Sequence, residues 1–409
     1  MDDDETARRV AGGLTALAVR LGERLASASP DRNLVFSPLS VHAALSLLAA
    51  GAAGATLDEL LAVLGAASRD DLAAFVGRMA HTALADRGPE SRGPRVAFAC
   101  GVWCDAARPF KPAYRAAVAG EYNAVATAVD FKNKAEEERK QINEWGWQAT
   151  GKLINAVLPP GSVGDKTAVV VGNAIYFKSK WERPFNENHT QTKPFYGHDG
   201  VTVADVTYMS SRSWQHIAVH DGFKALKLKY RASKSHDNKR KRVHDGGDYT
   251  RYALVILLPD ERDGLRGLVE KMASRTGFLD EHTPAWEVPV GEFFLPKFNM
   301  SCSGSVVGVL RQMGLRLPFS PELADLSDTV EDDGSGLPIF VSDVLHKVVI
   351  EVNEEGTEAA AATVTRMLPA GVPPPPVDFV ADHPFAYFIV EEMSRVVVFA
   401  GHVVDPSVE

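Results

Sequence analysis

Cysteine is scarce, with three in 409 residues, too few for a disulfide framework. Cys100 and Cys104 fall on one extended segment, and at about 3.3 Å per residue they sit roughly 13 Å apart, too far to bridge. That usage fits a reducing compartment. Positive charge is in deficit as well, 44 Lys and Arg against 53 Asp and Glu for a formal net charge of −9. That balance argues against a protein whose main work is coating nucleic acid or anionic membrane, which needs a surplus of Lys and Arg. No apolar run is long enough for a bilayer span. The most apolar stretch, Val41 to Ala55, is broken by His42, Ser46, Gly51 and Gly54 and falls short of the roughly 18 to 20 residues required. The opening Met1-Asp-Asp-Asp-Glu5 lacks a basic region followed by an apolar one, so no secretory signal is read and a cytoplasmic location is expected.

Catalytic constellations are missing too. There is no G-x-S-x-G elbow, no H-E-x-x-H, and no phosphate loop or dinucleotide fingerprint. Thr150-Gly-Lys152 runs on into Leu153 without the upstream glycine. The twelve histidines do not pair at ligand spacing, so neither a metal nor a cofactor is expected. The carboxylate pairs Glu354-Glu355 and Glu391-Glu392 read as solvated charges, since sequence neighbours on a strand face opposite ways. These absences argue against an enzyme.

What remains is an ordinary core-forming composition, 45% hydrophobic and 24% charged, which excludes wholesale disorder. Length alone favours two or three domains. The first 85 or so residues read as helices, with apolar spacings of three and four through Leu14, Leu17, Leu21 and Leu25 and again through Leu57, Leu60, Leu61 and Leu64. Ser37-Pro38 is a helix start, Ser as cap and Pro in the first turn. Another helix is expected over Ala135 to Thr150, ended by Gly151. Lys166 to Phe177 turns into a continuous apolar run, the pattern of a strand covered on both faces. Further strands are expected at Ala225 to Tyr230, Tyr252 to Leu258, Trp286 to Pro296, His346 to Val352, Ala386 to Val390 and Arg395 to Ala400. Helix and strand mix without strict alternation, which gives an α+β class. Between two of those strands lies a basic insertion, Arg231 to His244 and on to about residue 247, centred on Lys239, Arg240, Lys241 and Arg242. Its plain reading is a solvated loop; the alternative is a nuclear-localisation or polyanion-binding patch.

The segment Val352-Asn-Glu-Glu-Gly-Thr-Glu-Ala-Ala-Ala-Ala-Thr363 reads locally as a helix start, Thr357 capping and alanines following. Yet a strand pattern precedes it, and Pro369, Gly371 and Pro373 to Pro376 follow it. It is therefore a long run of small residues suspended between a strand and a proline-rich exit.

Those residues resemble the hinge of an inhibitory serpin, and the chain is similar to the plant serpins in particular. The hinge-like stretch is Glu354, Glu355, Gly356, Thr357, Glu358, Ala359, Ala360, Ala361 and Ala362. Phe36-Ser-Pro-Leu-Ser40, Gly172-Asn-Ala-Ile-Tyr-Phe177, Lys180-Trp-Glu-Arg-Pro-Phe185, His346-Lys347 and Asp378-Phe-Val-Ala-Asp-His-Pro-Phe385 also look like family motifs in family order. They run from about residue 10 to Pro406, so the resemblance implies one serpin domain over 1–409 in place of the two or three that length suggests. The fold it implies has a large mixed central sheet, further sheets, about eight or nine helices and an exposed reactive-centre loop near 354–378. The activity it implies is that of a suicide substrate. A target protease attacks the loop and forms an acyl-enzyme with its own nucleophile, and the cleaved loop then inserts as a new central strand.

Alternation supports such an insertion. Thr357, Ala359, Ala361, Thr363, Thr365 and Met367 would share one uncharged face, and Glu358, Ala360, Ala362, Val364, Arg366 and Leu368 the other. Family spacing, fifteen residues counted from Gly356, puts the reactive bond at Ala370-Gly371. A small residue there suits elastase-like serine proteases, with a cysteine protease as a further target class and Arg366 as an alternative cleavage point. Ser37, Ser40, Asn173 and His346 match a family cluster beneath the parting strands, and Trp181 matches a tryptophan where the loop enters; their plain readings are a satisfied core histidine and a core aromatic. A monomer without membrane contact is expected. The competing reading is a non-inhibitory serpin-fold storage or binding protein, motivated by the unusual Leu368-Pro-Ala-Gly-Val-Pro-Pro-Pro-Pro376.

Overall fold

Burial follows the long apolar runs, and the architecture is built around the strands they form. A computed structural model describes residues 3–85, 93–232, 250–275, 277–334, 336–354 and 375–408. Nine α-helices lie among the described residues: α1 (Asp3–Ala28), α2 (Pro38–Gly51), α3 (Gly54–Leu64), α4 (Arg69–His81), α5 (Pro112–Glu121), α6 (Phe131–Ala149), α7 (Leu265–Ala273), α8 (Phe278–His282) and α9 (Val307–Gln312). The strands are β1 (Leu34–Phe36), β2 (Arg95–Asp105), β3 (Val125–Val129), β4 (Val169–Lys178), β5 (Gln191–Tyr196), β6 (Thr202–Ser210), β7 (His216–His220), β8 (Phe223–Lys229), β9 (Tyr252–Pro259), β10 (Val290–Pro296), β11 (Phe298–Ser305), β12 (Val341–Val352), β13 (Val377–Val380), β14 (Phe385–Glu391) and β15 (Val396–Val403).

They form three sheets, ordered β11-β12-β4-β2-β3, β1-β15-β14-β9-β8-β7 and β13-β10-β6-β5. The first is the expected mixed sheet: β4 pairs parallel with β12 and antiparallel with β2, while β3 runs parallel to β2. The six-stranded sheet is the larger and is antiparallel throughout. Continuous apolar sequence explains the placement of β4, whose residues from Val169 to Phe177 are all buried. One of its faces, with Val171, Ile175 and Phe177, lies in the main core shared with the six-stranded sheet. Its other face, with Val170, Ala174 and Tyr176, lies under α6 and the segment after it. There Trp145 of α6 meets Trp103 of β2 edge-on, centroids 5.1 Å apart.

α2 is buried on nearly every side, because it carries no charged residue and packs against α1, β2, β4 and β15. Ser37 caps it as expected, its Oγ accepting from Ser40 N at 3.1 Å. α6 begins at Phe131, four residues before the sequence pattern suggests, because Asp130 supplies the cap. The strand expected from Trp286 begins instead at Val290, and Trp286 is 83% exposed: its side chain has no sheet neighbour to cover it. β5 carries Pro194 and is tolerated because it is an edge strand. The basic insertion leaves β8 and returns at β9, and Lys239, Arg240, Lys241 and Arg242 lie outside the described residues.

α3 ends on Gly65 at φ +69°, with Gly13 of α1 against it; a Cβ on Gly65 would meet the Gly13 Cα at 2.5 Å. Gly65→Ala is expected to lose roughly 2 to 4 kcal/mol, adding left-handed strain to overpacking. Gly12→Ala, mid-helix with nothing within 4 Å, should gain about 0.5 to 1 kcal/mol. Urea unfolding of the two variants checks the contrast.

Candidate functional site

The parallel seam between β4 and β12 organises the site. Its register sets Asn173 opposite His346 and Phe177 opposite Ile350. Beneath Asn173 and His346, the N-terminus of α2 brings in Ser37 and Ser40. Ser40 Oγ donates to Asn173 Oδ1 at 2.6 Å, and the same oxygen accepts from His346 Nδ1 at 2.5 Å. Ser37 N donates to His346 Nε2 at 3.0 Å, while Ser37 Oγ donates to the Val398 carbonyl at 2.6 Å. All four residues are buried. Nε2 must be bare to accept, so the ring is neutral with its proton on Nδ1. Burial accordingly pulls the His346 pKa down to about 3. The structure thus brings Ser37, Ser40, Asn173 and His346 into one bonded group that ties α2 to both strands of the seam. One atom is left over: Asn173 Nδ2 is buried without a partner.

A second constellation closes the upper end of the seam. Trp181 is buried, and its Nε1 donates to the Asn353 carbonyl at 2.7 Å, just past β12. Its ring stacks on Tyr230 at 4.4 Å with 13° between the planes. The next residue, Glu354, was expected as a solvated charge and is instead only 5% exposed. Its Oε1 meets Lys297 Nζ at 2.5 Å and accepts from Thr190 Oγ1 at 2.8 Å, while its carbonyl accepts from Phe185 N at 3.1 Å. Burial pushes the Glu354 carboxyl up, but the bonds from Lys297 and Thr190 and the Lys297 charge outweigh it and hold the group below the usual carboxylate range. Glu391 departs from the same expectation. Its carboxylate is buried and accepts from Ser394 N at 2.7 Å and Ser394 Oγ at 2.6 Å, closing the β14–β15 turn.

Sequence reasoning missed Lys297, Thr190 and Tyr230. Nothing local marks them, because each acquires its role from a partner far along the chain. The remaining hinge residues Glu355, Gly356, Thr357, Glu358, Ala359, Ala360, Ala361 and Ala362, and the bond Ala370-Gly371, lie outside the described residues, which resume at Pro375. β13 follows at once and pairs parallel with β10. The two ends of residues 355–374 are therefore fixed on two different sheets. Among the described residues no group of three His, Cys, Asp or Glu side chains could hold a metal ion, and no helix is long and apolar enough to cross a membrane.

Buried neutral histidines make stability depend on pH. His346, and His42 whose pKa burial lowers to about 4, titrate near 6.5 when exposed. Between those values the unfolded chain binds protons that the folded one refuses, so stability falls as pH drops below 6.5. From there to about pH 5 each ring should cost about 2 kcal/mol. Urea midpoints at about pH 7 and pH 5 measure it, and equal midpoints would mean that neither ring stays neutral.

Comparison with known proteins bears on the same elements. The family model described as Serpin (serine protease inhibitor) matches residues 13–406. The chain is 75% identical to serpin-Z8 of Oryza sativa subsp. japonica, over 100% of both chains. It is 42% identical to serpin-Z7 of Hordeum vulgare, with 95% of each covered. Among solved structures, an Arabidopsis serpin in its native stressed conformation superposes with a TM-score of 0.88 at 36% identity, over 100% of both chains.

Proposed function

The chain belongs to the serpin family, whose members are in general protease inhibitors that act on target proteases, and from that premise we propose that it is an irreversible suicide-substrate inhibitor of a serine protease. The target's nucleophile attacks the carbonyl of Ala370, the Gly371 amine leaves, and an acyl-enzyme remains on Ala370. The segment from Thr357 onward then enters between β4 and β12 as an antiparallel strand, carrying the enzyme with it before water can release it. The observation that supports this reading best is the seam itself: two parallel strands latched by polar groups at both levels, with the candidate loop leaving from the last residue of the upper latch.

Register makes the proposal specific. If residues 353–356 form the reversing turn, Val352 pairs with Thr357 and, counting back along β12, His346 pairs with Thr363. Directly opposed residues share a face, and Val348, Ile350 and Val352 point into the main core. Thr357, Ala359, Ala361 and Thr363 then point into that core too, all small and uncharged. Glu358 and Arg366 fall on the face under α6. Exchange of one parallel ladder for two antiparallel ones is favourable, so the closed form is kinetically trapped.

Ala370 suits an elastase-like protease, and the same loop could meet a cysteine protease; a monomer in the cytoplasm is the setting we assign. Contact of Lys239 to Arg242 with polyanions, or nuclear location through them, is an accessory reading, which deletion of 231–244 without change in localisation or heparin-column retention would remove. Mixing the protein with an elastase, a trypsin, a chymotrypsin and a papain-like protease tests the main reading. An SDS-stable complex and release of the 39 residues from Gly371 to Glu409 are expected. Ala361→Pro should turn inhibitor into plain substrate by removing a ladder donor. Loop-cleaved protein should melt well above intact protein. Cleavage with no complex and no gain in Tm would favour the non-inhibitory storage or binding reading.

A further inference from the structure

The face of β8 that α7 and α8 cover at Phe223 and Ala225 continues past them with Lys227 and Lys229, which follow at the same alternation. His216 of β7 lies directly opposite Lys227 and so shares that face. Gln215 and Val288 exchange backbone bonds of 3.0 and 2.8 Å, which brings Glu287 alongside β7. Arg183, just beyond Trp181 in the chain, reaches the Glu287 carboxylate and closes the group. With Trp181 and Phe185 these residues line a cavity of about 30 Å³, room for about two waters or one monatomic ion.

Charge in this cavity does not cancel. Arg183 meets Glu287 at 2.8 Å, and Lys227 meets Glu392 at 2.5 Å. Lys229 is half-buried and, among the described residues, has no carboxylate partner. Glu182 is exposed, and its N donates to the Lys229 carbonyl at 2.8 Å. The His216 ring senses the balance. Burial, and then Lys229, lowers its pKa to about 4; Glu287 raises it, and Lys227 and Arg183 lower it further. Three cations thus bear on the ring against one carboxylate, in a chain whose net charge is −9. A small polar cavity with such an excess concentrates counter-ions from solution.

We propose that this cavity is a halide site, with Lys229 as the principal partner of the ion and chloride as its occupant in solution. The site does not depend on the insertion mechanism proposed above, but it bears on the same residues. Trp181 and Phe185 line the cavity and are the residues bonded to the Asn353 and Glu354 carbonyls. An ion bound behind them neutralises the excess charge next to the upper latch. Because the cluster is assembled only by the fold, the ion binds the folded chain and not the unfolded one, and stabilises it by mass action.

Tm is measured at constant ionic strength while sodium gluconate, whose anion is too large for the cavity, is replaced by sodium chloride. The proteins compared are the intact wild type, Lys229→Gln and, as a control at an exposed lysine, Lys166→Gln. Wild type and Lys166→Gln should rise in Tm along one saturating curve, and Lys229→Gln should need at least tenfold more chloride for half the rise. A wild-type Tm that stays flat, or climbs without saturating, would overturn the proposal. So would a Lys229→Gln curve that matches the wild type. Crystals of the wild-type protein grown in sodium bromide give a second test that no variant's folding can blur. An anomalous difference peak beside Lys229 Nζ, inside the cavity, is expected; peaks confined to exposed lysines would mark bromide as adventitious and remove the site.

Discussion

The parallel pairing of β4 with β12 is the constraint on which the rest of the molecule depends. Both strands are buried on two faces, one by the main core and one by α6, so neither can move without exposing apolar surface. Yet the bonds that join them run between two segments far apart in sequence, with no turn to fix their register. That register is held by latches at its lower and upper levels. Below, Asn173 of β4 and His346 of β12 are bonded to each other and to the start of α2. Above, Trp181 just past β4 is bonded to Asn353 just past β12, and Lys297 and Thr190 hold the following glutamate. The lower latch consists of buried polar groups that serve one another, so a partial break strands donors and acceptors away from water; in the upper one Trp181 and Glu354 are buried while Lys297 reaches solvent. Opening is favoured only if something else satisfies them.

The two latches differ in kind. The lower is neutral, with an imidazole that can serve only while uncharged, and acid weakens it. The upper is an ion pair whose Glu354 side chain is 7% exposed against 36% for Lys297. The two partners are not equivalent: removal of Lys297 leaves a buried carboxylate with Thr190 as its remaining side-chain donor and is the costly change, whereas removal of Glu354 leaves a lysine that solvent reaches. The pair's value is specificity of position: it fixes Glu354, the last described residue before 355–374. The residues on either side of 355–374 are anchored, one beside Trp181 and the other on β13 in a different sheet.

Much of this was legible in the sequence, for reasons that differ by element. β4 announced itself because a strand covered on both faces needs no polar alternation, and α2 because Ser37-Pro38 satisfies its first turn locally. β5 and β6 did not stand out: a proline on an edge strand and half-exposed alternation look like loop. The resemblance singled out Ser37, Ser40, Asn173, His346 and Trp181, and the structure shows why composition could not. Ser37 meets His346 across 309 positions, and Trp181 meets Asn353 across 172. Lys297 and Tyr230 were invisible for the same reason, since a lysine after a strand and a tyrosine at a strand end have no local signature. The carboxylates Glu354 and Glu391 misled because acidic residues are solvated by default, and only the fold reveals the donors that bury them.

Stability has an inverted meaning at such a seam. In most cores a change that fills space or pairs a polar group raises stability without touching function. Under the proposed insertion, the closed seam of β4 and β12 is one of two destinations for the same chain, and any interaction confined to the closed form raises the barrier to the other. Asn173 Nδ2 and the Tyr230 hydroxyl, both buried and unpaired, would count as defects in a protein with a single end state. Asn173 lies on the seam itself and Tyr230 packs against Phe177 of β4 and Trp181, where the proposed mechanism admits a strand. Gly65 against Gly13, or the Glu391 turn, carries no such double role, because nothing in those contacts changes when the seam opens. On the proposed mechanism the chain separates two kinds of residue that a stability measurement alone would confuse: those that hold the fold, for which more is better, and those that hold it provisionally, for which more is loss of function.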